Sequence, residues 1–131
     1  MAYMKFKELT KYFNFHKEVE IDQLPDYTTE YVKSDEKILL GCKTLRDHGV
    51  FTDKTMILFD RDLVGNTKRI HIIPYASIST SVITFKPGRA EILLSLDSGY
   101  QIRINFINMN HDKKEHLKVV YKSMMKHSVK A

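Results

Sequence analysis

A chain of 131 residues, 43% hydrophobic and 28% charged, has the length and composition of one globular domain and can bury a core without disulfides or a structural metal. Cys42 is the lone cysteine, which excludes a disulfide framework, and no apolar run is long enough for a membrane-spanning helix or a signal-peptide core, so the cytoplasm is the expected address. The net charge of +5 is unevenly spread: residues 17–36 hold seven acidic side chains against Lys17 and Lys33, a net of −5, and residues 111–131 hold six lysines against Asp112 and Glu115, a net of +4.

From Tyr3 to Phe15, the residues Phe6, Leu9, Thr10 and Phe13 recur at helical spacing among lysines, which predicts a short amphipathic helix ending near Asn14. The stretch His16 to Asp35 is acidic and aromatic and reads as a connector, with one helical turn over Asp26 to Val32 that Pro25 would start from its first position. The expected division is therefore an N-terminal helix and acidic connector over residues 1–35, followed by a strand-rich body over residues 36–128.

That body opens with KILLGCKTL, a strand in which Cys42 reads as a small buried hydrophobe. Asp47-His48-Gly49, with Gly49 at positive φ, is read as a tight turn into GVFT. TMILFDR is apolar on both faces, with Ile57 and Phe59 on one and Met56 and Leu58 on the other. Such a strand is covered twice, by the core and by a helix or a neighbouring subunit. A Gly65-Asn66 break leads to TKRIHII, which Pro74 stops because it lacks an N–H. ISTSVITF turns at Lys86-Pro87-Gly88-Arg89, with Pro and Gly in the central positions of a type II turn. AEILLSL and QIRINF follow, joined by Asp97-Ser98-Gly99; their alternation points Ile92, Leu94, Leu96, Ile102, Ile104 and Phe106 inward. That makes seven strands. The last element is a helix from about Asp112 to His127, in which Asp112 and Glu115 have the spacing of a capping box. Leu117, Val120, Tyr121, Met124 and Met125 form its apolar stripe, and lysines 113, 114, 118, 122 and 126 occupy the other side.

No catalytic, cofactor-binding or metal constellation emerges. His111 and His116 are five apart and off a common helix face, and His16, His48, His71 and His127 lack a Cys or second His at ligand spacing, so all six read as surface histidines. Asp60 and Asp62 bracket Arg61 with no Gly-rich phosphate loop nearby, and read as turn residues. The candidate binding residues are Lys114, Lys118, Lys122 and Lys126 on the closing helix, and Arg69 with His71 on one face of their strand. Clustered lysines suit an anionic membrane surface or nucleic acid. Nucleic acid is disfavoured, because its platforms interleave exposed aromatics with arginine whereas Tyr121 lies on the core stripe and the helix cations are all lysine. A solvated helix face is the plainest account of the lysines, as solvated face residues are of Arg69 and His71.

Seven antiparallel strands closed by a C-terminal amphipathic helix is the element order of the pleckstrin-homology (PH) superfold, and the stretch from Glu36 to Ser79 resembles the bacterial PH domain family. The resemblance rests on Glu36, Lys37 and Ile38; on Phe51, Thr52 and Asp53; on Ile57 to Asp60; and on Ile73, Pro74, Tyr75, Ser77 and Ile78, within a match over about residues 36–127. It implies a mainly β fold, a PH-like seven-stranded antiparallel bent sandwich or barrel closed by its helix, here with an N-terminal helical extension. It also implies a non-catalytic protein that assembles as a ring-like homo-oligomer. The family often has a Gly- or Lys-rich tip where this chain has Leu63-Val64-Gly65-Asn66. Phosphoinositide-binding PH domains spread several cations across their first hairpin; here it offers only Lys43, Arg46 and His48, a poor anion cup, and the closing helix has no tryptophan. The reading is a non-catalytic interaction and homo-oligomerisation module without cofactor, whose partners are itself and an unknown protein or peptide. The alternative is a peripheral binder of an anionic membrane surface or other polyanion through the basic C-terminal helix.

Overall fold

A computed structural model describes residues 10–44, 47–61, 64 and 66–128. Its first element obeys a period of two. Phe13 and Phe15 are each 1% exposed while Asn14 between them faces solvent, and alternation of this kind makes a strand. Strand β1 (Thr10–Phe15) runs parallel to the last strand of the chain. The helix expected over Tyr3 to Phe15 is therefore corrected over residues 10–15; residues 3–9 of that expectation lie outside the described residues.

The segment expected to be a connector carries β2 (Lys17–Val19), a 3-10 turn (Ile21–Gln23) and the single-turn helix α1 (Asp26–Thr29), which Pro25 precedes as N-cap residue. Then come β3 (Ile38–Lys43), β4 (His48–Thr52), β5 (Thr55–Arg61), β6 (Thr67–Pro74), a 3-10 corner (Tyr75–Ser77), β7 (Ile78–Lys86), β8 (Arg89–Leu96), β9 (Gln101–Ile107) and α2 (His111–Ser128). The seven expected strands are β3 to β9. Two sheets result, ordered β1-β9-β8-β7 and β2-β3-β4-β5-β6, so β1 and β2 each extend one sheet and the molecule is a two-sheet sandwich, not a closed barrel. Gly88, at φ 73°, supplies the left-handed residue of the expected type II turn.

The main core lies between the sheets under α2, whose Leu117, Val120 and Met124 are buried against it with Tyr121 and Met125 at the margin. Those three buried side chains, at about 1.5–3 kcal/mol each, are comparable with the ~5–15 kcal/mol net stability of a domain, so the helix is integral to the fold. A second, smaller cluster lies on the opposite face of β4 and β5. There Leu24, Tyr27 and Val32 of the acidic segment cover Val50, Ile57 and Phe59. Both faces of β5 are covered, as its composition demands, and its outer face is covered by this chain's own residues.

Two glycines let these layers close. A Cβ on Gly41 would lie 2.8 Å from Leu24 Cδ2, and a Cβ on Gly49 would lie 2.7 Å from Phe15 Cζ. Gly49 is thus not a turn residue: it sits within β4, opposite Leu58, and is glycine because Phe15 packs on it. The reversal falls one step earlier, between Lys43 and His48, where Asp47 N–H donates to the Thr44 hydroxyl.

One polar knot ties the corner to the rest. The fully buried Tyr75 donates its phenol proton to the Thr52 carbonyl at 2.8 Å, and its N–H donates to the Lys54 carbonyl at 2.9 Å. The Thr52 hydroxyl accepts from the N–H groups of Lys54 and Thr55 and gives its proton to the Glu36 carboxylate. Asp53 and Lys37 exchange two hydrogen bonds, and Ser123 of α2 donates to the Asp53 carbonyl at 3.0 Å. Four separate stretches of chain meet at this point. Removing the phenol oxygen strands a buried carbonyl, so Tyr75→Phe is expected to lower the free energy of unfolding by about 1–3 kcal/mol. Urea titration measures it, and a variant as stable as the parent would show that the bond is replaceable.

Candidate functional site

Helix α2 starts from a side-chain cap different from the expected one. Asn110 Oδ1 accepts from the Lys113 N–H at 2.9 Å, which frees Glu115 to pair with Lys118 at 2.7 Å. That pairing holds the Glu115 carboxyl below its ordinary pKa. Lys114 Nζ donates to the Lys86 carbonyl at 2.7 Å, and Lys118 Nζ lies 5.4 Å from the centre of the Phe85 ring. Lys122 and Lys126 are exposed and form no ion pair among the described residues. The acidic segment does not lie on these lysines. Its ion pairs among the described residues are Glu18 Oε2 with His116 Nδ1 at 3.2 Å and Asp35 with Lys54 at 2.9 Å, and the other nitrogen of His116 meets the Leu39 carbonyl at 2.9 Å.

Arg69 and His71 share a face of β6 but not an environment. Arg69 is exposed, whereas His71 is half-buried, edge-on to Phe13 at 5.7 Å and 5.9 Å from Tyr100. The solvated-face reading thus holds for Arg69 and is corrected for His71. None of the lysine contacts reaches either residue, so the six candidates fall into two groups, the lysines on α2 and Arg69 with His71 on β6.

His48 is likewise no surface residue. Arg61 Nη1 donates to the Tyr27 oxygen at 2.8 Å, and the same oxygen lies 2.8 Å from His48 Nδ1, which takes the phenol proton when that nitrogen is unprotonated. The Arg61 guanidinium also stacks 4.6 Å from the centre of the Tyr27 ring, and its main-chain N–H donates to Asp47 Oδ1 at 3.0 Å. This chain fastens α1 to the β4–β5 hairpin. Tyr27 is 21 residues from His48 and 34 from Arg61, so no local spacing announced it. Of the three side chains that the poor anion cup of the first hairpin offered, His48 is bonded to Tyr27, Lys43 is the ladder partner of His48 on β3, and Arg46 lies outside the described residues.

Two recesses border α2. A small apolar one of about 20 Å³, room for roughly one water, lies beside Phe15, Cys42 and Leu117; burial pushes the Cys42 thiol well above its ordinary pKa and leaves it a poor nucleophile. A wider one of about 350 Å³ lies between the start of β7 and the last turn of α2, lined by Ser79, Thr80, Ser81, Asp97, Met125 and Ser128. Among the described residues no group of three or more His, Cys, Asp or Glu is placed to hold a metal ion, and no helix is long and apolar enough to cross a membrane.

The model of the bacterial PH domain family matches residues 9–128. Among solved structures, the fold is similar to a DUF1696 family protein with a pleckstrin-homology domain from Shewanella loihica PV-4. That match has a TM-score of 0.65 and 21% identity, and covers 86% of this chain and 96% of that one. It is also similar to a PH domain containing bacterial protein from Exiguobacterium sibiricum 255-15, with a TM-score of 0.64, 20% identity, 88% of this chain and 62% of that one. A pleckstrin homology domain from Shewanella amazonensis SB2B matches with a TM-score of 0.56 and 21% identity, over 85% of this chain and 90% of that one. The chain thus spans less than two thirds of the Exiguobacterium protein, and identities this low speak to fold alone. No curated protein matches the chain.

The Tyr27 fastening carries a pH dependence. Burial, then Lys43 and Arg61, hold the His48 pKa below its ordinary 6.5 against the opposing charge of Asp47. The unfolded chain therefore takes up a proton before the folded one. The contribution of neutral His48 is complete above the unfolded value and is lost as pH falls through the folded one. Between about pH 7.5 and pH 5 the melting temperature should drop more in the parent protein than in His48→Gln. Parallel profiles would remove His48 from the linkage.

Proposed function

The chain belongs to the bacterial PH domain family, and from that premise we propose that it serves in the cytoplasm as a non-catalytic interaction and homo-oligomerisation module. The observation that carries this reading is the incomplete cover on the outer face of the five-stranded sheet. The acidic segment covers Ile57 and Phe59 of β5, but the cover ends there. Their ladder partners Ile72 and Ile70 on β6 are 49% and 36% exposed, and Tyr31, 6.3 Å from the Phe59 ring, is 41% exposed. Ile70 and Ile72 lie on an outermost strand; among the described residues no strand pairs with its far side. An aliphatic strip beside an open strand edge is the surface a second copy can cover. The alternative, a peripheral binder of anionic surfaces, draws its support from the exposed Lys122 and Lys126.

Light scattering at tens of micromolar is expected to report an oligomer, and Ile70→Glu with Ile72→Glu to yield a folded monomer. Both positions are exposed, so circular dichroism should be unchanged. A monomeric parent protein would remove the oligomerisation half of the reading.

A further inference from the structure

The outer face of the four-stranded sheet carries two neighbouring rows of side chains. Register sets Asn14 of β1, Asn105 of β9 and Glu91 of β8 opposite one another in one row, and Ile107, Arg89 and Lys86 in the next. Their sequence neighbours Phe13, Ala90, Ile92 and Phe106 are buried, so the rows face away from the core. Together they line a recess of about 280 Å³, close to the lower end of the range for ligand pockets. Lys86 and Arg89 stand directly opposite each other across the β7–β8 ladder, where like charges repel. Both are exposed, and among the described residues no acid forms an ion pair with either. The turn between them is pinned twice: the Gly88 carbonyl accepts from the Met109 N–H at 2.8 Å, and the Lys86 carbonyl accepts from Lys114 Nζ at 2.7 Å. Beside these cations the lining changes character. Asn105 Nδ2 donates to Asn14 Oδ1 at 3.0 Å, which leaves the Asn14 NH2 as a donor and the Asn105 oxygen as an acceptor. Glu91 approaches Arg103 only to 3.5 Å, longer than the ~2.7–2.9 Å of a close charged hydrogen bond, so its carboxylate keeps capacity to accept.

We propose that this recess binds a sugar acid, a small ring of hydroxyls that carries one carboxylate. The carboxylate sits between Lys86 and Arg89 and relieves their repulsion, with the planar fork of Arg89 matched to its two oxygens. A hydroxyl both donates and accepts, and the adjoining row offers both roles: the Asn14 NH2 donates, while the Asn105 oxygen and the Glu91 carboxylate accept. Ile107 supplies an apolar side for the C–H groups of the ring. Glu91 discriminates among anions. A phosphate dianion brings further negative charge against it, whereas a sugar acid presents hydroxyls there. A neutral sugar, for its part, leaves the two cations without an offset. The inference goes beyond the interaction reading and does not rest on it, because β6 and its aliphatic strip belong to the other sheet.

The test titrates the full chain, labelled with nitrogen-15, with glucuronate, glucose, acetate and inorganic phosphate. Glucuronate should shift the amide resonances of residues 86–91 and 105–107 to saturation, at least about tenfold more tightly than any of the other three. Lys86→Gln with Arg89→Gln should bring glucuronate down to the level of glucose, and Glu91→Ala should weaken both sugars but not acetate. The charged side chains changed are exposed or half-buried, so circular dichroism should be that of the parent protein. Phosphate or acetate binding as tightly as glucuronate would reduce the recess to a plain anion patch and overturn the proposal. Glucose binding as tightly as glucuronate, equal binding by the double variant, or no saturable shift with glucuronate would each overturn it too. A monomer that binds glucuronate would discard self-association and leave this inference standing; an oligomer that ignores glucuronate would do the reverse.

Discussion

The buried hydrogen bond from Tyr75 to the Thr52 carbonyl is the constraint on which the rest of the arrangement depends. Chain leaving the five-stranded sheet at Pro74 must turn at once into the other sheet; Pro74 and Ala76 face solvent, but the Tyr75 side chain is carried into the core, where an unpaired polar group is costly. Thr52 meets that demand by serving the corner, its own hairpin and Glu36 together. Burial, with the nearby charges of Glu36 and Asp53, pushes the Tyr75 pKa well up, so the phenol stays a donor. The residues that carry the family resemblance, among them Glu36, Lys37, Thr52, Asp53, Pro74, Tyr75 and Ser77, gather at this knot. They are conspicuous because the corner needs them, which is why they speak for the fold and are silent about a ligand.

Legibility followed the range of the contacts. Strands β3 to β9 and the stripe on α2 were readable because their patterns are written within a few residues, and Ile92, Leu94, Ile102, Ile104, Phe106, Leu117, Val120 and Met124 are buried as those patterns placed them. Strand β1 was not. Its pairing partner lies about ninety positions away, as the Asn14–Asn105 hydrogen bond shows, and the spacing of Phe6, Leu9 and Phe13 competed with the alternation of Phe13 and Phe15. Gly49 misled for a related reason: a glycine required by a distant phenylalanine looks the same as one required by a turn. At the helix start, Asn110 took the cap that the Asp112–Glu115 spacing seemed to claim. The Tyr27–His48–Arg61 fastening joins residues far apart in the chain, so local spacing carries no trace of it.

The split of charge also has a structural cause. The acidic segment is an amphipathic strap: Leu24, Tyr27 and Val32 face the sheet while Asp22, Asp26 and Glu30 face water. The lysine helix is amphipathic over the other opening of the sandwich. The two stretches are both solvated backs of covering elements, and Glu18 with His116 is a direct contact between them. Opposite charge therefore does not mean mutual neutralisation: the acidic segment pairs with His116 and Lys54, and the helix supplies Glu115 for its own Lys118.

Edges complete the argument. Strand β2 is three residues long, short enough to offer little to a passing chain. Strands β6 and β7 are eight and nine residues long and lie on different sheets, the first flanked by aliphatic side chains and the second by a lysine margin. Length matters because each further residue of an outer strand adds main-chain N–H and C=O groups with no ladder partner, so among the described residues β6 and β7, unlike β2, leave a long stretch of main chain open.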